Sequence, residues 1–321
     1  MLIHLDTDIG GDIDDLCALV MLLRWPDVTV TGITTVAEEN GRRAGYAKYV
    51  LKLAGREDIP VAAGADVSLG CYREKLGYPP DDEFWPEPVA AAPGPVDDAL
   101  ELLKESTERG ATIVGTGPFT NFALLEQKYP GLAREATLFL MGGYVYPIPA
   151  GYPQWGHDSD YNVQVDVRSA QQVLSAHQPV LIPLTVSVQT ALRRAYLPAL
   201  RAAGPPGELV ARQAEAHDRQ YRIADTLGKS CPKLPDDIIN FQHDPLACAV
   251  ALGWPGVEIE RLPIRLELQD GYLYERVDAH GKVMKVVTKA DGDEFNEVWL
   301  RVVTGNGSCV PSWRPARRCA E

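Results

Sequence analysis

Asp6, Asp8, Asp12, Asp14 and Asp15 all fall within the first fifteen residues, in the run Asp6-Thr-Asp-Ile-Gly-Gly-Asp-Ile-Asp-Asp15. An apolar segment (Leu2, Ile3, Leu5) precedes the run and an amphipathic one (Leu16, Leu19, Val20, Leu23) follows it, so the carboxylates crowd one strand-to-helix turn. Like charges this close repel unless something neutralises them. A hard divalent cation does so most simply, because Ca²⁺ and Mg²⁺ take oxygen ligands and favour carboxylates. One aspartate is accounted for as a helix N-cap facing the helix dipole. Five are not, and the pattern points to a metal or catalytic site.

Three further constellations carry chemistry. In Gly115-Thr-Gly-Pro-Phe-Thr-Asn-Phe-Ala123 a strand ends in glycines and a helix begins near Thr120-Asn121. The glycines allow close backbone approach to a ligand, and plain capping explains the same residues equally well. Met141-Gly-Gly143 reads as a tight turn after a buried strand. The stretch beyond it reaches Asp160-Tyr-Asn-Val-Gln-Val-Asp166, where Asp160 and Asn162 are expected to share one face of an extended segment, as sugar hydroxyls require. Its bland reading is a pair of Asx turns. His243-Asp244 opens an apolar helix over Leu246–Leu252; Asp244 suits its cap, and a histidine beside it titrates near neutrality and could protonate a leaving group.

The elements that must position these residues alternate. Strands are expected at 2–5, 28–36, 60–65, 111–115, 136–141 and 180–184, with helices at 14–25, 42–54, 97–107, 121–129 and 167–176. That rhythm predicts an α/β fold: a single domain over 1–321 with a mostly parallel, doubly wound central sheet. Ligands bind at the carboxyl ends of such strands, where the polar motifs lie. Two segments break the rhythm. Residues 69–95 hold six of the 25 prolines and several aromatics, which suggests a lid or subunit contact. Residues 208–229 read as a long polar helix over a site mouth. A small C-terminal β-hairpin region is expected over 257–288, turning at Asp270-Gly271 and His280-Gly281, then a closing helix at 294–303 and a frayed tail at 311–321.

With 321 residues, 45% hydrophobic and 23% charged, the chain has ample material for a core. A formal charge of −13, without an offsetting basic run, argues against nucleic acid as partner. Its apolar stretches fall short of a membrane span, and no basic leader precedes the first strand, so the cytoplasm is the expected compartment. The six cysteines show no C-x-x-C pairing; Cys17 and Cys248 lie in apolar helical patterns and are expected to be reduced core residues.

Taken in order, the Asp6-Thr-Asp8 and Asp14-Asp15 pairs, Gly117-Pro-Phe-Thr-Asn-Phe-Ala123, Met141-Gly-Gly143, Asp160-Tyr-Asn162 with Asp166, and His243-Asp-Pro-Leu-Ala247 resemble the motifs of the inosine–uridine nucleoside hydrolase family. The resemblance spans residues 1–252 and has a weaker echo in the final helix. It implies a ribohydrolase acting on a small nucleoside, a tightly bound Ca²⁺, no organic cofactor, and a homodimer or homotetramer. Carried over by position, it puts the calcium ligands on Asp8, Asp15, the Thr120 carbonyl and Asp244, the water-activating base on Asp14, the sugar contacts on Asn162 and Asp160, and the leaving-group acid on His243. Asp244 is counted with the substrate contacts as well.

Several residues depart from the family pattern. The aspartate run is two residues longer, so Asp12 could take either the base or a ligand role. Glu38-Glu39-Asn40 stands where many members have Gly-Asn, which makes Glu39 and Asn40 candidate substrate contacts. Asp160 replaces the more usual glutamate, and an upstream asparagine falls near Gln154. Two rival readings stand beside this one. A haloacid-dehalogenase-like phosphatase also begins with a strand and Asp-x-Asp, and a non-catalytic or transferase relative could bind a ribosyl group without hydrolysing it.

Overall fold

The first strand, β1 (Leu2–Thr7), places Ile3 and Leu5 fully inside and delivers Asp6, Thr7 and Asp8 to its carboxyl end. The computed structural model describes residues 1–66, 78–132 and 136–305. From β1 the chain alternates as expected: α1 (Asp14–Arg24), β2 (Thr29–Thr35), α2 (Arg42–Leu53), β3 (Val61–Ala63), α3 (Asp81–Phe84), α4 (Val96–Glu108), β4 (Thr112–Gly115), α5 (Thr120–Lys128) and β5 (Thr137–Met141). There follow α6 (Tyr161–Gln164), α7 (Val167–Ala176), β6 (Val180–Ile182), α8 (Leu184–Ser187), β7 (Leu192–Arg193), α9 (Leu197–Ala202), α10 (Pro205–Tyr221) and β8 (Ile238–Asn240). The chain ends its described course in α11 (His243–Ala251), β9 (Val257–Gln269), β10 (Tyr272–Val277), β11 (Lys282–Ala290) and α12 (Gly292–Thr304).

One nine-stranded sheet runs in the order β10-β9-β11-β6-β5-β4-β1-β2-β3, parallel from β11 to β3. Neighbouring residues feed different cores: Val114 packs on one face and Ile113 on the other, and Val180 and Ile182 oppose Leu181. Burial on both faces explains why the strands read as continuous β-branched and aliphatic runs. From β1 the chain builds outward first to β2 and β3, then on the other side through β4, β5 and β6. The strand order therefore reverses between β1 and β4, the crevice where open α/β sheets bind ligands.

The expected C-terminal hairpins are present and continue the main sheet. β11 pairs parallel with β6, and β9 and β10 extend the same sheet antiparallel beyond it. The 208–229 segment, by contrast, is not one helix. α10 stops at Tyr221, Arg222 takes a left-handed φ of 50°, and a π-turn covers Ala224–Gly228. Its inner face is buried through Leu209, Val210, Gln213 and His217, so it packs as an amphipathic helix. Of the 69–95 segment, residues 69–77 lie outside the described residues. The remainder packs onto α2, with Trp85 stacked on Tyr46 at 4.3 Å and Asp81 accepting from Arg42 and the Tyr46 hydroxyl. The tail 311–321 also lies outside the described residues. No helix among the described residues is long and apolar enough to cross a membrane. Cys17 and Cys248 are buried and free.

Candidate active site

The loop from β1 to α1 sorts the five aspartates. Asp6 turns inward, accepting from the Thr34 hydroxyl (2.6 Å) and the Asn121 amide (2.7 Å), and so ties β1 to β2 and α5. Asp14 and Asp15 open α1, and Asp244 opens α11. Ligand atoms of these three buried carboxylates lie within 4.8 Å of one another. Asp15 is fixed by the Thr7 hydroxyl and by Thr116 Oγ1 at 3.0 Å; Asp14 Oδ2 accepts from the Asp244 N–H at 3.3 Å. Asp8 lines the same cavity outside that triplet.

The extra loop length is absorbed by glycine. Gly10 has φ 101°, and a Cβ there would lie 2.4 Å from the Tyr46 ring. The loop swings Asp12 to the cavity mouth, where Oδ1 accepts from Asn240 at 2.7 Å and sits 3.5 Å from His217 Nε2. Asp12 thus lines the cavity but stands outside the triplet.

Crowded, buried carboxylates resist ionisation. Burial pushes Asp15 up to about 8, opposed by its hydroxyl partners; it pushes Asp8 up to about 6, opposed by Arg43. Asp14 and Asp244 are driven well above the usual carboxylate range by burial and then by their acidic neighbours. Three buried carboxylates offering oxygens to one point form the donor chemistry of a hard divalent cation, and the residues present fit one.

The second wall comes from β4. Thr116 donates its N–H to the Asp6 carbonyl (2.8 Å) and its hydroxyl to Asp15, while its carbonyl accepts from Asn162 Nδ2 at 2.7 Å. At Gly117 a Cβ would meet Val36 at 2.5 Å and Asp8 Oδ1 at 3.0 Å, so only glycine fits. Thr120, expected at the metal, lies instead in the first turn of α5 with its hydroxyl on Asp166 at 2.6 Å; Thr116 lines the cavity and Thr120 does not. Asn121 does not cap α5, because its side chain is spent on Ala65, Thr35 and Asp6.

The third wall follows Met141-Gly-Gly143, whose glycines take φ values of 145° and 103°. The Asp160–Asn162 stretch is not extended. Asp160 precedes α6 and Asn162 sits in its first turn, which still brings both to the cavity. Asp160 Oδ2 accepts from the Gly143 N–H, and Asn162 bridges to the Thr116 and Met141 carbonyls. Gln154 is exposed and donates to the Pro149 and Tyr152 carbonyls, away from the site. Glu39 and Asn40 are also exposed, with Glu39 paired to Arg42 at 3.2 Å. From that segment Arg43 reaches the cavity instead. It is buried, and Nε and Nη1 donate to the Ala37 and Ile9 carbonyls, leaving Nη2 without a protein acceptor among the described residues. Only its spacing of one helical turn from Asn40 could have signalled this.

His243, at the start of α11, shares a hydrogen bond between Nδ1 and Ser187 Oγ (2.7 Å) and stacks on Phe241. Burial lowers its pKa to about 4, against the opposing pull of Asp12, so the ring is neutral at pH 7.

A family model described as inosine-uridine preferring nucleoside hydrolase matches residues 3–297. The chain belongs to the inosine-uridine preferring nucleoside hydrolase family. It is 30% identical over 271 residues to a pyrimidine-specific ribonucleoside hydrolase, RihA, from Citrobacter koseri, covering 79% of this chain and 83% of that one. With the RihA of Salmonella arizonae it is 32% identical over 282 residues, covering 80% and 84%. Among solved structures, a plant nucleoside hydrolase, PpNRh1, superposes with a TM-score of 0.75 at 20% identity, over 94% of this chain and 98% of that one. A purine-preferring ribonucleoside hydrolase from Gardnerella vaginalis gives 0.74 at 21%, over 95% and 98%. These two likenesses concern the fold. As a nucleoside hydrolase family member the chain is an N-glycosyl hydrolase, and the phosphatase reading falls.

Proposed function

We propose that this chain is a calcium-dependent hydrolase that cleaves the N-glycosidic bond of a ribonucleoside or modified nucleoside, releasing free base and ribose. The observation that carries this reading is the convergence of Asp14, Asp15 and Asp244 on one point beside the switch-point crevice. These three carboxylates, with the Thr116 carbonyl in place of Thr120, would hold the ion. When bound, such an ion supplies Lewis acidity that makes water nucleophilic at neutral pH.

The chain's own groups divide the remaining work. Asp8, on the cavity wall outside the triplet, accepts the proton of the attacking water; this exchanges the roles that sequence position alone suggests for Asp8 and Asp14. Attack falls on C1′ of an oxocarbenium-like pentose, as in glycoside hydrolysis generally. Asn162, Asp160 and Asp244 orient the sugar hydroxyls. His243, neutral and braced by Ser187, donates a hydrogen bond to the departing base. Trp155 and Tyr161 line the cavity and supply stacking area for a planar base. Gln154, Glu39 and Asn40 take no part.

The three buried, free cysteines among the described residues support a reducing compartment such as the cytoplasm. Exposed Ile259, Leu268, Val277 and Val283 on β9–β11 support association into a homodimer or homotetramer. The test is a panel of purine, pyrimidine and 5′-modified nucleosides, with free base followed by chromatography. Release of base with equimolar ribose is expected. Binding without release would make the chain a non-catalytic relative, and transfer to an acceptor other than water would make it a transferase.

A further inference from the structure

A second acid stands behind the proposed sugar clamp. Glu275 lies on β10, more than a hundred residues after Asp160, and is 2% exposed. Gly142 and Gly143 turn the backbone so that two consecutive amides each hold one carboxyl group. Gly143 N–H donates to Asp160 Oδ2, and Tyr144 N–H donates to Glu275 Oε2 at 3.2 Å. The two acids are therefore clamped side by side, with Asp160 on the cavity and Glu275 behind it. Glu275 Oε1 is buried without a hydrogen-bond partner among the described residues. A bare carboxylate oxygen in that position is costly, and two adjacent carboxylates out of water do not both stay charged. One proton on Glu275 relieves both costs.

We propose that Glu275 is a positioning residue for the substrate: its carboxyl group keeps one proton, donates it to the Asp160 carboxylate, and so holds Asp160 charged and aimed into the cavity. The inference rests on the reading of Asp160 as a pentose contact. Other charged groups around Glu275 are already engaged. Across the ladder it faces apolar Leu266, while Arg276 pairs with Glu267 at 2.8 Å. His157, packed on Tyr274, has its pKa lowered by burial, and Asp166 is bound by Thr120 and Ser169. Burial, and after it Asp160, pushes Glu275 up to about 8.

The test compares Glu275→Gln, Glu275→Leu and Asp160→Asn in the full chain. Wild-type kcat/KM for a hydrolysed ribonucleoside is expected to fall above about pH 8 as Glu275 ionises and repels Asp160. Glu275→Leu should raise KM about tenfold, the worth of one charge-assisted hydrogen bond, with little effect on kcat or on calorimetric titration of calcium alone. Glu275→Gln, which still donates, should restore KM and abolish the alkaline fall. A ¹³C-carboxyl titration should find Glu275 titrating at lower pH in Asp160→Asn than in wild type. An alkaline fall that persists in Glu275→Gln, or a wild-type KM in Glu275→Leu, overturns the pairing. A wild-type KM in Asp160→Asn overturns the clamp reading itself, whatever the Glu275 variants do.

Discussion

Stripping the cation by chelation is expected to make the folded protein lose stability as pH rises from 5 to 7. Asp15 titrates at about 8 in the folded, metal-free chain against an ordinary value of 3.8, and Asp8 at about 6. Between those values the folded state binds more protons than the unfolded one. The stability these groups contribute is therefore greatest at low pH and is lost as pH rises through the folded pKa. A group wholly inside its window costs about 1.4 kcal/mol per pH unit, so Asp15 alone accounts for about 3 kcal/mol over two units. At the roughly 2–4 °C per kcal/mol of large domains, Tm should fall by about 6 °C or more. Bound calcium would keep Asp15 ionised and should flatten the slope while raising Tm throughout. Scanning calorimetry at pH 5, 6 and 7, with chelator or with calcium, reads both effects. A chelated Tm that is flat or rises over this range, or identical slopes with and without calcium, would refute the reasoning.

The site makes three further predictions. Asp8→Asn should lower kcat by about 10²–10⁴, the range of a lost general base, while calcium affinity by calorimetry stays near wild type; Asp14→Asn should instead weaken calcium binding, and the reverse pattern would restore Asp14 as base. Gly117→Ala, whose Cβ would meet Val36 at 2.5 Å and Asp8 at 3.0 Å, should cost about 1–3 kcal/mol in denaturant unfolding and depress turnover; an unchanged midpoint would show that the crevice between β1 and β4 gives way. His243→Ala should slow nucleosides with poor leaving bases far more than p-nitrophenyl riboside, and equal losses on both would remove His243 from the departing-base role.

Much of this was legible in the chain. The β-branched runs of β2 and β6 and the glycine- and proline-stopped helices follow local rules, and the parallel sheet follows from their alternation. Asp14, Asp15 and Asp244 were conspicuous because each opens a helix after a strand or loop, where a buried carboxylate needs a reason. What escaped depends on contacts distant in sequence. Nothing near residue 275 indicates that β10 joins the main sheet through β9 and β11 and brings an acid behind Asp160. Arg43 reads as a surface residue of a polar helix until Ala37 and Ile9 are seen to accept its hydrogens. Thr120 and Thr116 are both hydroxyl residues of one glycine-rich turn, and only the folded chain shows that Thr116 lines the cavity and Thr120 does not. Asp160-Tyr-Asn162 alternates as a strand would, yet a helical turn brings the same two side chains to the cavity.

The most direct test of the central claim is release of free base from a ribonucleoside by the same protein in three states: as purified, stripped with chelator, and reloaded with calcium. Hydrolysis that disappears on stripping and returns on reloading, and that no longer returns in Asp244→Asn, is the predicted result. Full activity in the stripped protein, or full recovery in Asp244→Asn, would contradict it.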